Sequence, residues 1–232
     1  MTSCRPSLKW TTSPRVAREL QLQLAAQVRL TPLPRDVRWV AGLDATVSPN
    51  GRWMIGVATL WDLQEQCVAE GRSAWLRLRF PYVPGLLSFR EAPVLLAALR
   101  KLRKKPDLLL CDGQGRAHPR RFGLACHLGV LCDLPSVGCA KTRLVGEATE
   151  PGPAPGDWVP LLDQGEVVGA VVRTRPRSKP VYVSVGHRCT LEDAIRVVLA
   201  CCRGHRLPEP TRRSDRTARL VRRFLPAGRL TS

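Results

Sequence analysis

The chain has 232 residues, 44% of them hydrophobic, which suits one sizeable core and falls short of two. No run approaches the roughly 18 apolar residues of a membrane span, and the N-terminus lacks the apolar core of a signal peptide, so a membrane or exported protein is not expected. A net charge of +18, from 37 Lys and Arg against 19 Asp and Glu, suits a polyanionic partner such as nucleic acid; a GC-rich coding bias toward Arg, Ala, Gly and Pro is the alternative reading.

Ser13 and Pro14 open a predicted helix over about 13–30, as N-cap and first helical residue. "WVAGLDATV" (39–47) and "RWMIGVATLW" (52–61), joined through "SPNG", predict a β-hairpin, and a third strand covers part of 66–79. In "FPYVPGLLSFREAP" (80–93), Pro81, Pro84 and Gly85 make a tight turn with Tyr82 and Val83 at its tip. A helix follows to about Lys104, with Ser88 and Glu91 at capping-box spacing. "DLLLCD" (107–112) is a strand suited to burial on both faces. The loop "GQGRAHPRR" leads to a helix near 121–132, "PSVGCA" (135–140) is another buried strand, and "PGPAPG" (151–156) is a loop. Strands over 166–174 and 180–186 precede a helix at about 191–202 capped by Thr190. From Arg203 to Ser232 there are nine Arg and two acids; this end contains a predicted helix over 211–224 and reads as a phosphate-tracking surface.

A hairpin followed by alternating strands and helices implies one α/β domain over 1–232, a mixed sheet flanked by helices. The nine cysteines sit mostly in apolar runs such as "LLLCD" and "VVLACC". They read as buried thiols of a cytoplasmic protein, without the spacing of a disulfide frame or a zinc site.

Asp44 and Asp112 each interrupt an apolar strand, where an acid is costly unless paired or bound to a cation. Were the two strands neighbours, the carboxylates would converge at one sheet edge, and two or three such oxygens suit Mg²⁺ or Mn²⁺. Glu91 is a candidate third. Each also has a plainer reading: Asp44 as a strand terminator, Asp112 as a turn residue before Gly113, Glu91 as a cap. Lys141 closes "SVGCAK" and would stabilise phosphate charge at the same edge. His118 and His187 fall in predicted loops, suiting phosphate contact, proton transfer or simple solvation.

The segments "VAGLDATV", "PYVPGLLSFREAP", "PDLLLCDGQGRAHPRRFGLACHLGVLCDLPSVGCAKTRLVG", "VSVGHR" and "RLPEPTRRSD" occur in order across about 39–215. Together they resemble the endonuclease V family, repair nucleases of deaminated bases. The resemblance implies a ribonuclease H-like fold. It also implies a metal-dependent endonuclease using Mg²⁺, with Mn²⁺ able to substitute. Such an enzyme nicks the second phosphodiester bond 3′ to hypoxanthine in deoxyinosine DNA, leaving 3′-hydroxyl and 5′-phosphate; some members act on inosine-containing RNA. By the same resemblance, Asp44 and Asp112 match the metal-binding aspartates, Glu91 the catalytic glutamate and Lys141 the active-site lysine, with Asp215 as a further metal-side acid. Tyr82 matches the wedge tyrosine of a Pro-Tyr-(Ile/Val)-Pro motif, which here is Pro81 to Pro84, and the flipped base would be read by backbone of "PGLL" and "DGQG", including Gly85 and Gly113. An inosine-specific ribonuclease and a non-catalytic nucleic-acid-binding module are the rival readings; a monomer is expected.

Overall fold

The computed structural model describes residues 10–224. Eight strands form one sheet: β1 (Trp39–Val47), β2 (Trp53–Asp62), β3 (Cys67–Arg77), β4 (Leu108–Cys111), β5 (Ser136–Ala140), β6 (Trp158–Asp163), β7 (Glu166–Val172) and β8 (Val181–His187). Their order across the sheet is β3-β2-β1-β4-β5-β8-β7-β6. The central strands β1, β4 and β5 run parallel and every other pairing is antiparallel, so the sheet is mixed. The helices are α1 (Pro14–Ala25), α2 (Leu87–Leu99), α3 (Leu124–Cys132), α4 (Leu191–Ala200) and α5 (Glu209–Phe224).

Alternation along the central strands divides the core in two. Ala41, Leu43, Leu109 and Cys111 face α2 and α3 in one apolar cluster. Val40, Leu108, Leu110, Val137 and Cys139 face α4 in the other. The all-apolar "LLLC" of β4 is buried throughout because both faces are covered.

Several boundaries differ from expectation for identifiable reasons. Helix α1 stops at Ala25, where Ala26 is the C-cap and the Gln27 N–H donates back to the Leu24 carbonyl at 3.0 Å, tightening the last turn. Ser13 holds the N-cap position but makes no side-chain cap bond. Helix α2 stops at Leu99, before the cation run Arg100 to Lys105. Strand β6 was not expected. Pro160 at its centre argues against a strand, and it is tolerated because β6 is the sheet's last strand, whose outer side is bridged at Leu162, to Glu147, and not at Pro160. Thr190 does cap α4, in a capping box closed by Asp193. The eight described cysteines are free thiols, six of them buried and Cys67 on β3 exposed; Cys4 lies outside the described residues. No described helix is long and apolar enough to cross a membrane.

Candidate active site

Strands β1 and β4 are neighbours in parallel register, Leu43 beside Cys111, and the Asp112 N–H donates to the Leu43 carbonyl at 3.0 Å. Side chains two residues apart share a face of the sheet, so Asp44 and Asp112 continue the rows of Val40, Leu108 and Leu110. They stand side by side at the carboxyl edge of the central strands, the edge at which open α/β sheets bind ligands. Lys141 follows β5, the next strand, and its Nζ donates to Asp112 Oδ2.

Asp215 arrives from α5 on the same face. The helix lies against β1 so closely that a Cβ on Gly42 would sit 2.1 Å from the Pro210 carbonyl carbon. Ser214 Oγ donates to the Gly42 carbonyl at 2.8 Å and pairs with the Thr59 hydroxyl at 2.8 Å. Glu91 lies in the second turn of α2, whose N-cap is Leu86 with no side-chain cap bond. Ser88 is hydrogen-bonded instead to His127 Nδ1 at 3.0 Å. The capping-box expectation is thereby corrected: Glu91 caps nothing and feels the charge of Asp44 and Asp112.

Burial, then the carboxylates of Asp112 and Asp215, push the Asp44 carboxyl up to about 8, against the pull of Lys141. Glu91 is also pushed up to about 8, by burial and then by Asp44 and Asp112. Burial alone would lower the Lys141 ammonium, but Asp112, Asp44 and Asp215 outweigh it and hold the group above its ordinary value. Three carboxyl groups, Asp44, Asp112 and Asp215, thus act on Lys141, and Glu91 reaches the first two from α2; this oxygen-rich surplus of acid over base fits a hard divalent cation. Among the described residues no three ligand side chains are drawn into a closed coordination shell; the fit is one of donor type and charge. Asp62, another strand-terminal acid, shows the plainer alternative. Arg38 forks it with bonds of 2.6, 3.0 and 3.1 Å and holds its carboxyl below the usual range.

Val83, Pro84, Gly85 and Leu86 form a tight turn, with Pro second, Gly third at φ +76°, and the Leu86 N–H donating to the Val83 carbonyl at 2.9 Å. Tyr82 precedes it, 70% exposed, with the Arg90 guanidinium 5.9 Å from its ring centre. Behind the turn is a pocket of about 140 Å³ whose walls include Tyr82, Gly85, His118, Gln114, Gly123 and Leu144. Val83 and Pro84 also border it, Pro81 is exposed ahead of Tyr82, and Gly113 joins Asp112 to the Gln114 wall.

The two loop histidines are not used as expected. His118 is buried; its Nδ1 accepts the Arg120 N–H at 3.1 Å and its Nε2–H donates to the Gly85 carbonyl at 3.0 Å. Burial, then Arg120, push it down to about 4, so it is neutral at pH 7 with both nitrogens engaged. It is a strut and pocket wall rather than a loop group free for proton transfer. His187 ends β8 opposite Ser136, at the far edge of the sheet, fully buried between the Arg29 N–H at 3.2 Å and Asp133 at 3.4 Å. The structure does not bring it to the acids.

Beyond Lys141 a groove of about 620 Å³ continues along the same edge, lined by Arg143, Arg177, Lys179 and Arg206. Arg206 donates to the carbonyls of Lys141 at 2.6 Å and Pro180 at 2.8 Å. Arg143, Arg177 and Lys179 are exposed. These cations, scattered in sequence, form a second exposed basic surface besides the Arg-rich end. There, Arg212 and Arg213 are held by Glu209 at 2.6 and 3.0 Å and Arg219 by Asp215 at 3.1 Å. Residues 225–232 of that end lie outside the described residues.

The assembly has close counterparts. The Endonuclease V family model matches residues 22–216. Endonuclease V of Roseiflexus sp. (strain RS-1) is 51% identical over 209 residues, covering 90% of this chain and 93% of that protein. The crystal structure of endonuclease V from Streptomyces avermitilis aligns with a TM-score of 0.88 at 41% identity, over 92% of this chain and 94% of that one. Ciona intestinalis endonuclease V, in complex with a 24mer DNA containing an inosine followed by a ribo-adenosine, aligns with a TM-score of 0.81 at 25% identity, over 92% of this chain and 100% of that one. With acids on adjacent central strands of a ribonuclease H-like sheet and a family match over most of its length, the chain belongs to the endonuclease V family of nucleases.

Proposed function

We propose that the chain recognises a deaminated base, hypoxanthine above all, and nicks the second phosphodiester bond on its 3′ side, leaving 3′-hydroxyl and 5′-phosphate. The observation that carries this reading is a juxtaposition: the pocket of about 140 Å³ behind exposed Tyr82 reaches Gln114, two residues from Asp112, and Leu87 and Ser88 of the helix that carries Glu91. Tyr82, on its stiff turn, enters the base stack, a cost of a few kcal/mol that is least at a mismatched or damaged pair. The inosine-containing DNA bound by the Ciona relative supports hypoxanthine as the occupant of the pocket.

Asp44 and Asp112, with Glu91 and Asp215, would hold Mg²⁺, or Mn²⁺ in its place. Bound there, the ion supplies charge neutralisation at the phosphate and an activated water for in-line attack. Lys141, fixed on Asp112, presents its ammonium to the same phosphate. Arg143, Arg177 and Lys179 neutralise phosphates along the continuing strand.

The test uses the full chain with matched oligonucleotides carrying deoxyinosine in DNA or inosine in RNA, in Mg²⁺ and in excess chelator. A metal-dependent nick beside deoxyinosine is the expected result. Cleavage confined to RNA would favour the inosine ribonuclease, and binding without cleavage would favour the binding module. Full cleavage in chelator would remove the metal from the mechanism.

A further inference from the structure

The Gly85 carbonyl accepts hydrogen bonds from three side chains that come from distant parts of the sequence. Gln21 Nε2 on α1 donates at 3.1 Å, His118 Nε2 at 3.0 Å and Arg120 Nη2 at 2.7 Å. The three are themselves joined, since Gln21 Oε1 accepts the Arg120 Nε–H at 2.5 Å and the Arg120 backbone N–H donates to His118. The second Gln21 amide hydrogen goes to the Phe122 carbonyl at 2.7 Å. Gln21 is fully buried, on the stripe of α1 that also carries Ala17 and Leu24. An amide in that position costs stability unless every polar atom is satisfied, and here both its oxygen and its nitrogen are.

These bonds hold one peptide plane, and it is the plane that closes the turn beneath Tyr82. At its other end the Leu86 N–H donates to the Val83 carbonyl. Donors on the carbonyl, one of them cationic, polarise the peptide and strengthen that second bond. A side chain at residue 85 would push Arg120 Nη2, 2.7 Å from the Cβ position, off the carbonyl and strain a backbone at φ +76°.

We propose that Gln21, His118 and Arg120 are positioning residues for the Tyr82 wedge, so that the N-terminal helix governs how well a lesion duplex is opened rather than how the phosphate is cut. The proposal rests on the nuclease reading above. A wedge carried on a loosened turn must be ordered each time it enters the stack, at roughly 0.5–1.5 kcal/mol per immobilised side chain, or about two- to tenfold. A single strand has no stack to open and does not incur that cost.

The experiment measures single-turnover cleavage of deoxyinosine in duplex and in single-stranded DNA, in Mg²⁺, for Gln21→Leu and Arg120→Lys. Each is made in the full chain alone and again on a Tyr82→Ala background. Duplex cleavage should fall about two- to tenfold in both variants, single-strand cleavage should be unchanged within error, and neither change should lower duplex cleavage further once Tyr82 is gone. Arg120→Lys keeps the charge and a donor, so its single-strand rate also reports an intact fold and metal site. Equal losses on both substrates, or losses that add to that of Tyr82→Ala, would overturn the proposal. A wild-type chain that cuts neither substrate would overturn the nuclease reading itself.

Discussion

Replacing Gly42 with alanine asks whether α5 is a working part of the site or only a cover over the sheet. The new methyl would lie 2.1 Å from the Pro210 carbonyl carbon and 2.3 Å from its oxygen, where ordinary contact begins at 3.4 Å. The first turn of α5 has to retreat by the difference, more than an ångström. Ser214 retreats with it, and its two 2.8 Å bonds to Gly42 and Thr59 pass out of hydrogen-bond range. Overpacking costs about 1–3 kcal/mol and each lost bond about 1 kcal/mol more. At roughly 2–4 °C per kcal/mol for a chain of this size, melting should drop by on the order of 10 °C. Asp215, the next residue, is displaced from Asp44 by the same motion, and a misplacement of about 1 Å at a catalytic group costs about 10²-fold in rate. The assay pairs thermal unfolding with single-turnover cleavage of single-stranded deoxyinosine DNA at 25 °C, well below the melt. Wild-type melting and rate would refute the argument that close approach seats α5. Lost stability with an intact rate would remove Asp215 from the site.

Asp44→Ala and Asp112→Ala should each abolish cleavage while leaving inosine-DNA binding largely intact; lost binding would place them in the base pocket instead. Tyr82→Ala should weaken lesion-duplex binding about tenfold to a hundredfold, from the roughly 1–3 kcal/mol of a stacking aromatic, and much less on single strands; equal weakening would confine Tyr82 to lining the pocket, with no part in opening the stack. Burial pushes the His127 imidazole down to about 3 from its ordinary 6.5, so below 6.5 the unfolded chain binds a proton that the folded one refuses. The stability it carries is intact above 6.5 and drains as pH falls toward about 3; urea melts of His127→Phe should show a flatter pH dependence across that window, and an unchanged one counts against the assignment. Substituting Arg143, Arg177 and Lys179 together by alanine should flatten the slope of log affinity against log salt by up to roughly 0.9 per lost duplex contact. An unaltered slope would take the groove off the DNA path.

The parts of the fold that the sequence announces are those with a local cause. The hairpin of β1 and β2 and the buried run of β4 are visible as apolar segments, and Asp44 and Asp112 stand out because each interrupts one. What stays hidden depends on partners far along the chain. Glu91 looks like a cap until Leu86 proves to be the N-cap. His187 looks like a loop residue until β8 extends one position further and buries it against Asp133. Strand β6 is masked by Pro160, whose tolerance depends on an edge position that no local pattern encodes. Gln21 reaches its partners across more than sixty residues, yet it left a trace: four residues after Ala17 and three before Leu24, it is a polar side chain on a helix's apolar stripe.

The distribution of thiols makes the chain a ready reporter of its own opening. Thiolate is the reactive form of cysteine, and burial pushes Cys126 and Cys189 up to about 12, so alkylation at these core positions has to wait for the surrounding helices and strands to part. Cys67 is exposed at the surface of β3. It pairs with Asp62, the residue opposite Trp39 at the start of β1, so it lies at the other end of that strand from Asp44. With Cys4 and the half-buried Cys202 replaced by serine, a maleimide dye on Cys67 would mark the molecule for single-molecule or anisotropy measurements at a distance from Asp44, and slow labelling of the six buried thiols would time the opening of each half of the core.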